Sequence, residues 1–192
     1  RHPGVDPVAI LRAAGSNLNA RGVRSGASTL SMQLVKLSQP TRTRGLRGKL
    51  VQAWEALRLE RHASKEDILA AYLNLAPYGA NVQGAEAASR RYFGKSALEL
   101  TIPEAALLAG LPKAPTALFP PRHPALAQAR RAYVLERMAA EGFISAAERD
   151  ESLAIPVQTD WRSLPAHAPH LAARWASELR AGATVNTLLD LP

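Results

Sequence analysis

The sequence predicts an all-α protein. Apolar residues recur at spacings of three and four along most of the chain, and helix-start signals precede those runs. No stretch shows the two-residue period of a half-buried strand before residue 182. At 192 residues, with 47% hydrophobic and 21% charged, the chain can bury a core and does not have the composition of a disordered segment.

The elements follow in order. Asp6 and Pro7 occupy the cap and first positions of a helix carrying Val8, Ile10, Leu11 and Ala14. Residues 15–27, with Gly15, Gly22 and Gly26, loosen the chain. Ser28 or Thr29 caps a second helix through Leu30, Leu34 and Leu37 that ends before Pro40. A third runs from about Leu46 to Arg61, with Leu50, Trp54 and Leu57 at helical spacing. Ser64-Lys65-Glu66-Asp67 is a capping box with Asp in place of Glu, opening a helix with Ile68, Leu69 and Tyr72.

Residues 74–84 read as a loop, followed by a small-residue helix over 85–91 closed by the turn Phe93-Gly94-Lys95. Thr101-Ile102-Pro103-Glu104 starts an almost wholly apolar helix ending at Leu111, which belongs in the core. Pro112, Pro115, Pro120 and Pro121 then stop regular structure. An amphipathic helix is expected over 124–141 and a short one over 145–153. Residues 156–170 read as a linker, 168–179 as a helix and 184–189 as the first strand of another module. The expected division is therefore 1–155 as one domain and 156–192 as a linker and the truncated start of the next. The chain opens at Arg1 without an initiator methionine and reads as a fragment.

There is no cysteine, which excludes a disulfide scaffold and a thiolate metal site. No apolar run reaches the length of a membrane span. The formal charge of +8 is concentrated at one end. Residues 1–49 hold nine Lys or Arg against Asp6 alone, and beyond them bases and acids balance at fifteen each. That first quarter should meet something anionic, such as nucleic acid, a lipid headgroup or a phosphorylated substrate.

Four blocks carry the chemistry. Arg1-His2-Pro3-Gly4-Val5-Asp6 by itself reads as a turn. In Gly26-Ala27-Ser28-Thr29-Leu30-Ser31-Met32-Gln33-Leu34-Val35-Lys36, two hydroxyls at a helix start can reach phosphate oxygens, and Gln33 and Lys36 share a face. No Gly-Lys-Ser/Thr follows, so this is not a Walker A loop. Arg42, Arg44, Arg47 and Lys49 lead into Gln52, one turn beyond Lys49. Two or three cations converging on a diphosphate would stabilise the charge that develops as it leaves. The fourth block, from Ser64 to Pro112, reads on its own as caps and packing.

Together, in order and spacing, these blocks resemble glycosyltransferase family 51, the peptidoglycan glycosyltransferase module of class A penicillin-binding proteins, over Arg1 to about Ile155. The resemblance implies a lysozyme-like, all-helical fold with a membrane-dipping jaw. It also implies an enzyme that polymerises lipid II on the periplasmic face of the bacterial cytoplasmic membrane, anchored there by an N-terminal helix outside this sequence. A glutamate would act as general base while cations hold the departing undecaprenyl diphosphate.

Of the family's first motif, Glu-Asp-x-x-Phe-x-x-His-x-Gly-x-Asp, only His2, Gly4 and Asp6 are present. The general-base glutamate would precede Arg1, so the expectation is that the chain alone has no polymerase activity, with His2 and Gln52 left in supporting roles. Ser28, Thr29, Gln33 and Lys36 match the second motif as substrate contacts, Lys36 at the donor-diphosphate position. Arg44 and Lys49 stand at further diphosphate positions, and Thr116 near a hydroxyl contact. Gln52 replaces a family glutamate and keeps its shape without its charge. No metal ligand is therefore assigned, and Mg²⁺ or another divalent cation is left open without a carboxylate there.

The implied partners are lipid II, the growing glycan chain, an anionic membrane surface and other cell-wall synthesis proteins, with no nucleic acid. The basic quarter would surround the diphosphate and face the bilayer, with residues 8–11 and the loop near Val23 as jaw candidates. Two other readings compete. A lysozyme-like lytic hydrolase shares the fold but leaves Lys36, Arg44 and Lys49 unexplained. A basic nucleic-acid module is opposed by an aromatic content of 5% and the lack of a basic groove-reading helix face.

Overall fold

The computed structural model describes residues 28–39, 45–156 and 158–161. The expected helices over 7–14 and 168–179, the strand over 184–189 and the jaw candidates lie outside them. Within the described residues the architecture is all-α, with a single two-stranded hairpin.

Helix α1 spans Leu30–Ser38 and is capped by Thr29, whose hydroxyl accepts from the Met32 amide at 3.3 Å. Helices α2, Gly45–His62, and α3, Lys65–Leu75, both pack on α1. The box at Ser64 forms as expected, with its hydroxyl accepting from the Asp67 amide and the Asp67 carboxylate accepting from the Ser64 amide. Met32, Leu34 and Val35 of α1, Ala56 of α2 and Ile68 of α3 are buried.

The stretch expected to be loop contains a hairpin. Strands β1, Pro77–Gly79, and β2, Val82–Gln83, pair antiparallel with an irregular register between Pro77 and Gly79. The connecting residues Ala80 and Asn81 both have positive φ, 44° and 62°, the sign pattern of a type I′ turn. Such short strands, one beginning with proline, carry no readable period.

Helix α4, Ala85–Phe93, and helix α5, Ile102–Gly110, follow. A 3-10 turn at Ala97–Glu99 lies between them, and a second, Leu111–Lys113, follows α5 and carries Pro112. α5 begins at Ile102, where Glu104 accepts from the Thr101 amide at 2.8 Å, and ends at Gly110, one residue before the expected Leu111. Helix α6, Pro124–Ala140, packs extensively on α5. It ends in a Schellman motif, in which Phe143 N–H reaches the Met138 carbonyl and Gly142 N–H that of Ala139. Helix α7, Ala146–Ala154, packs on α6 and α5. It is latched by buried Arg131 of α6, whose Nη1 donates to the Ser152 and Ile155 carbonyls at 3.3 and 2.9 Å.

The main core gathers Tyr78, Val82, Tyr92, Leu107, Leu108 and Leu111, which places the hairpin against α4 and α5. Ala106, Leu135 and Ile144 form a second cluster under α5, α6 and the start of α7.

Candidate functional site

The cap at Thr29 fixes the start of α1, and the helical period does the rest. Three residues turn the helix about 300°, so Gln33 and Lys36 lie about 60° apart on one side. Lys36 is exposed and Gln33 half-buried, while Ser31, Leu34 and Val35 turn inward. Thr29 is buried and its hydroxyl oxygen serves the helix, so its part is positional, whereas Ser28 is exposed at the mouth of the turn.

α2 runs antiparallel to α1. Ser31, at the start of α1, donates its hydroxyl to Glu60 near the end of α2. Gln39, just past the end of α1, lines one groove with Arg47, Leu50 and Trp54 and another with Glu55, Arg58 and His62 of α2. Lys36 lies in the last turn of α1 and Lys49 in the first turns of α2. Lys49 is exposed, and Gln52, one turn on, is 5% exposed.

Sequence reasoning did not find the strut that holds this pair. The Glu60 side chain is only 6% exposed and accepts from both Ser31 Oγ and Lys65 Nζ. One carboxylate thus joins α1, the end of α2 and the start of α3. Ser31 and Glu60 are 29 positions apart, and no local pattern relates them.

Thr116 sits elsewhere. It lines a cavity of about 390 Å³ with Gly79, Asn81, Phe119, Arg122 and His123, within the range of small-ligand sites. None of Gln33, Lys36, Lys49 or Gln52 lines it. Behind the wall, the Tyr92 hydroxyl donates to the Tyr78 carbonyl at 2.7 Å. Burial, with a smaller contribution from Tyr72, pushes the Tyr78 phenol up to about 12. Burial raises Tyr92 as well. Both phenols stay protonated at neutral pH and act as packing rather than as acid or base. His2 and Arg44 lie outside the described residues.

A divalent cation finds little here. Position 52 supplies a buried amide, and among the described residues no three His, Cys, Asp or Glu side chains cluster as ligands.

Residues 1–139 match the family model described as Transglycosylase. The chain belongs to the transglycosylase family. Membership brings with it the lysozyme-like helical fold that the resemblance implied, and the described residues are helical throughout except for the hairpin and connecting turns.

This transglycosylase is 44% identical to penicillin-binding protein 1C of Escherichia coli K12 over 98% of its own length and 24% of the relative's. It is also 44% identical to penicillin-binding protein 1A of Aquifex aeolicus, over 81% of this chain and 22% of that one. The crystal structure of penicillin-binding protein 1A from Haemophilus influenzae aligns with 76% of the chain and 19% of its own, at 29% identity and a TM-score of 0.46. The transglycosylase thus spans about a quarter of the length of these relatives.

Proposed function

We propose that this chain is the peptidoglycan glycosyltransferase module of a protein that polymerises lipid II. A general-base glutamate of that protein takes the proton of the acceptor sugar's 4-hydroxyl, the oxygen attacks the anomeric carbon of the growing chain, and undecaprenyl diphosphate leaves with inversion. What supports the reading is the family match over residues 1–139, with exposed Lys36 on the side of α1 that carries Gln33 and exposed Lys49 one turn before Gln52 on α2. Lys36, Lys49 and Arg44 neutralise the departing diphosphate, and Ser28 and Gln33 supply hydrogen bonds to it. Thr29 holds the helix that presents them. Thr116 contacts the sugar part of the substrate from its cavity, and His2 and Gln52 support the reacting groups.

In this reading the glycosyltransferase domain covers 1–155, and 156–192 are a linker and the start of a transpeptidase domain. The setting is the periplasmic face of the bacterial cytoplasmic membrane, where the basic first quarter meets anionic headgroups and other cell-wall synthesis proteins are within reach. Among the described residues, no helix is long and apolar enough to cross a membrane.

Binding of undecaprenyl diphosphate in detergent micelles tests the grip without requiring turnover. A charge-assisted contact is worth about 1.5–3 kcal/mol, or about 10- to 150-fold in affinity. Lys36→Ala and Lys49→Ala should each weaken binding by that range. Unchanged affinity in both variants would overturn the assignment.

A further inference from the structure

We propose that the segment 158–161 is a strap on the Thr116 cavity, with Trp161 as a positioning residue for the cavity wall. The segment follows α7 and returns to α4, where the Asp160 N–H donates to the Tyr92 carbonyl at 2.9 Å. That bond delivers Trp161 into an aromatic cluster. Its ring centroid is 5.0 Å from that of Phe119, at 89°, and 5.0 Å from that of Tyr92, at 61°. Both are edge-on packings of the favourable kind.

Arg91 fixes the indole from a third side, its guanidinium carbon 4.5 Å from the ring centroid. The Arg91 Nε is buried with no hydrogen-bond partner, so the indole face is what compensates this part of the cation.

Phe119 is the link to the cavity. Trp161 packs on it, and it also forms the cavity's aromatic wall. Behind it the packing leaves little slack. A Cβ built on Gly79 would come within 2.9 Å of the Pro115 carbonyl, 3.1 Å of Phe119 Cδ2 and 3.2 Å of the Tyr92 hydroxyl. Trp161, Phe119, Tyr92, Gly79 and Pro115 are thus one contiguous set, and Thr116 is the next residue along. Displacing the indole lets the Phe119 ring turn and changes the shape of the space beside Thr116, Arg122 and His123. Because such coupling is reciprocal, whatever occupies the cavity also biases how firmly the chain beyond residue 161 is held to this domain.

Hydrogen exchange followed by mass spectrometry tests this on the 192-residue chain with no ligand, independently of the lipid II reading. Trp161→Ala should speed exchange at least tenfold in 77–83 and 115–123 while leaving 30–38 and 65–75 unchanged. Trp161→Phe, which keeps a ring against Phe119, should restore part of the protection. Acceleration confined to 91–93 and 158–161 would overturn the proposal, and so would a uniform increase across the chain. With lipid II as probe, Trp161→Ala should weaken affinity at least fivefold, a loss that Trp161→Phe partly reverses. This arm rests on the lipid II reading: wild-type affinity together with the accelerated exchange above would overturn the assignment of the cavity to lipid II, and wild-type exchange would overturn the strap.

Discussion

Replacing Gly79 by alanine tests the close packing behind the Thr116 cavity. Gly79 has φ +100°, a conformation that costs an L-residue about 1 kcal/mol. The added methyl would also stand 2.9 Å from the Pro115 carbonyl, a backbone atom that cannot rotate away, and 3.1 Å from the Phe119 ring. Forcing a methyl into a filled site costs about 1–3 kcal/mol. Gly142 separates the two costs, since it has φ +77° and nothing within 4 Å of the same methyl. Gly142→Ala should therefore lower stability by about 1 kcal/mol, and Gly79→Ala by about 2–4 kcal/mol. Denaturant unfolding followed by helical circular dichroism measures both, with an unchanged m-value showing that the unfolded states are comparable. If the two variants lose the same stability, the wall at Pro115 and Phe119 yields freely, and the steric argument fails.

Glu60→Gln keeps the shape of the strut while removing its charge from the Lys65 ammonium, and should cost about 1–3 kcal/mol in the same unfolding assay. A change below the error of the fit would show that the α1–α2–α3 junction does not depend on it. Acid should weaken the fold through its helix caps. Asp67 is held low by its bonds from Ser64, Glu86 chiefly by the Ala97 amide and Glu148 by Ser145. For Glu104, burial pushes the carboxyl up, but hydrogen bonds from Lys95 and Thr101 outweigh it and leave it below its ordinary 4.5. Folded values below unfolded ones mean that this stability is fully present above about pH 4.5 and is lost as pH falls through the folded values. Melting temperatures should be flat from pH 7 to 5 and drop below that, with a shallower drop in Glu104→Gln. A melting temperature independent of pH down to 3 would contradict the cap bonds.

The helical order was legible because its signals are local. Asp67 lies three residues from the Ser64 it bonds, and Pro124 stands at a helix start. The shared side of Gln33 and Lys36 follows from the helical period alone. The hairpin was not legible, because Pro77–Gly79 and Val82–Gln83 are too short to show a period and are set by positive φ at Ala80 and Asn81. The choice between Ser28 and Thr29 as cap needed the backbone geometry, which selects Thr29. Beyond the range of any local pattern are the contacts that shape the sites: Ser31 with Glu60, and Phe119 with Trp161. They join residues whose nearness exists only once α1 has crossed α2 and α3, or once the chain has returned to α4 after α7.

The latch at Arg131 has a practical corollary for anyone shortening this protein. Its guanidinium reaches past α7 to the Ile155 carbonyl, so the last helical turn is gripped from inside rather than left to fray. Trimming the chain at residue 156 would keep both acceptors, whereas stopping before Ser152 would strand a cation in an apolar interior and loosen α6 along with the missing helix.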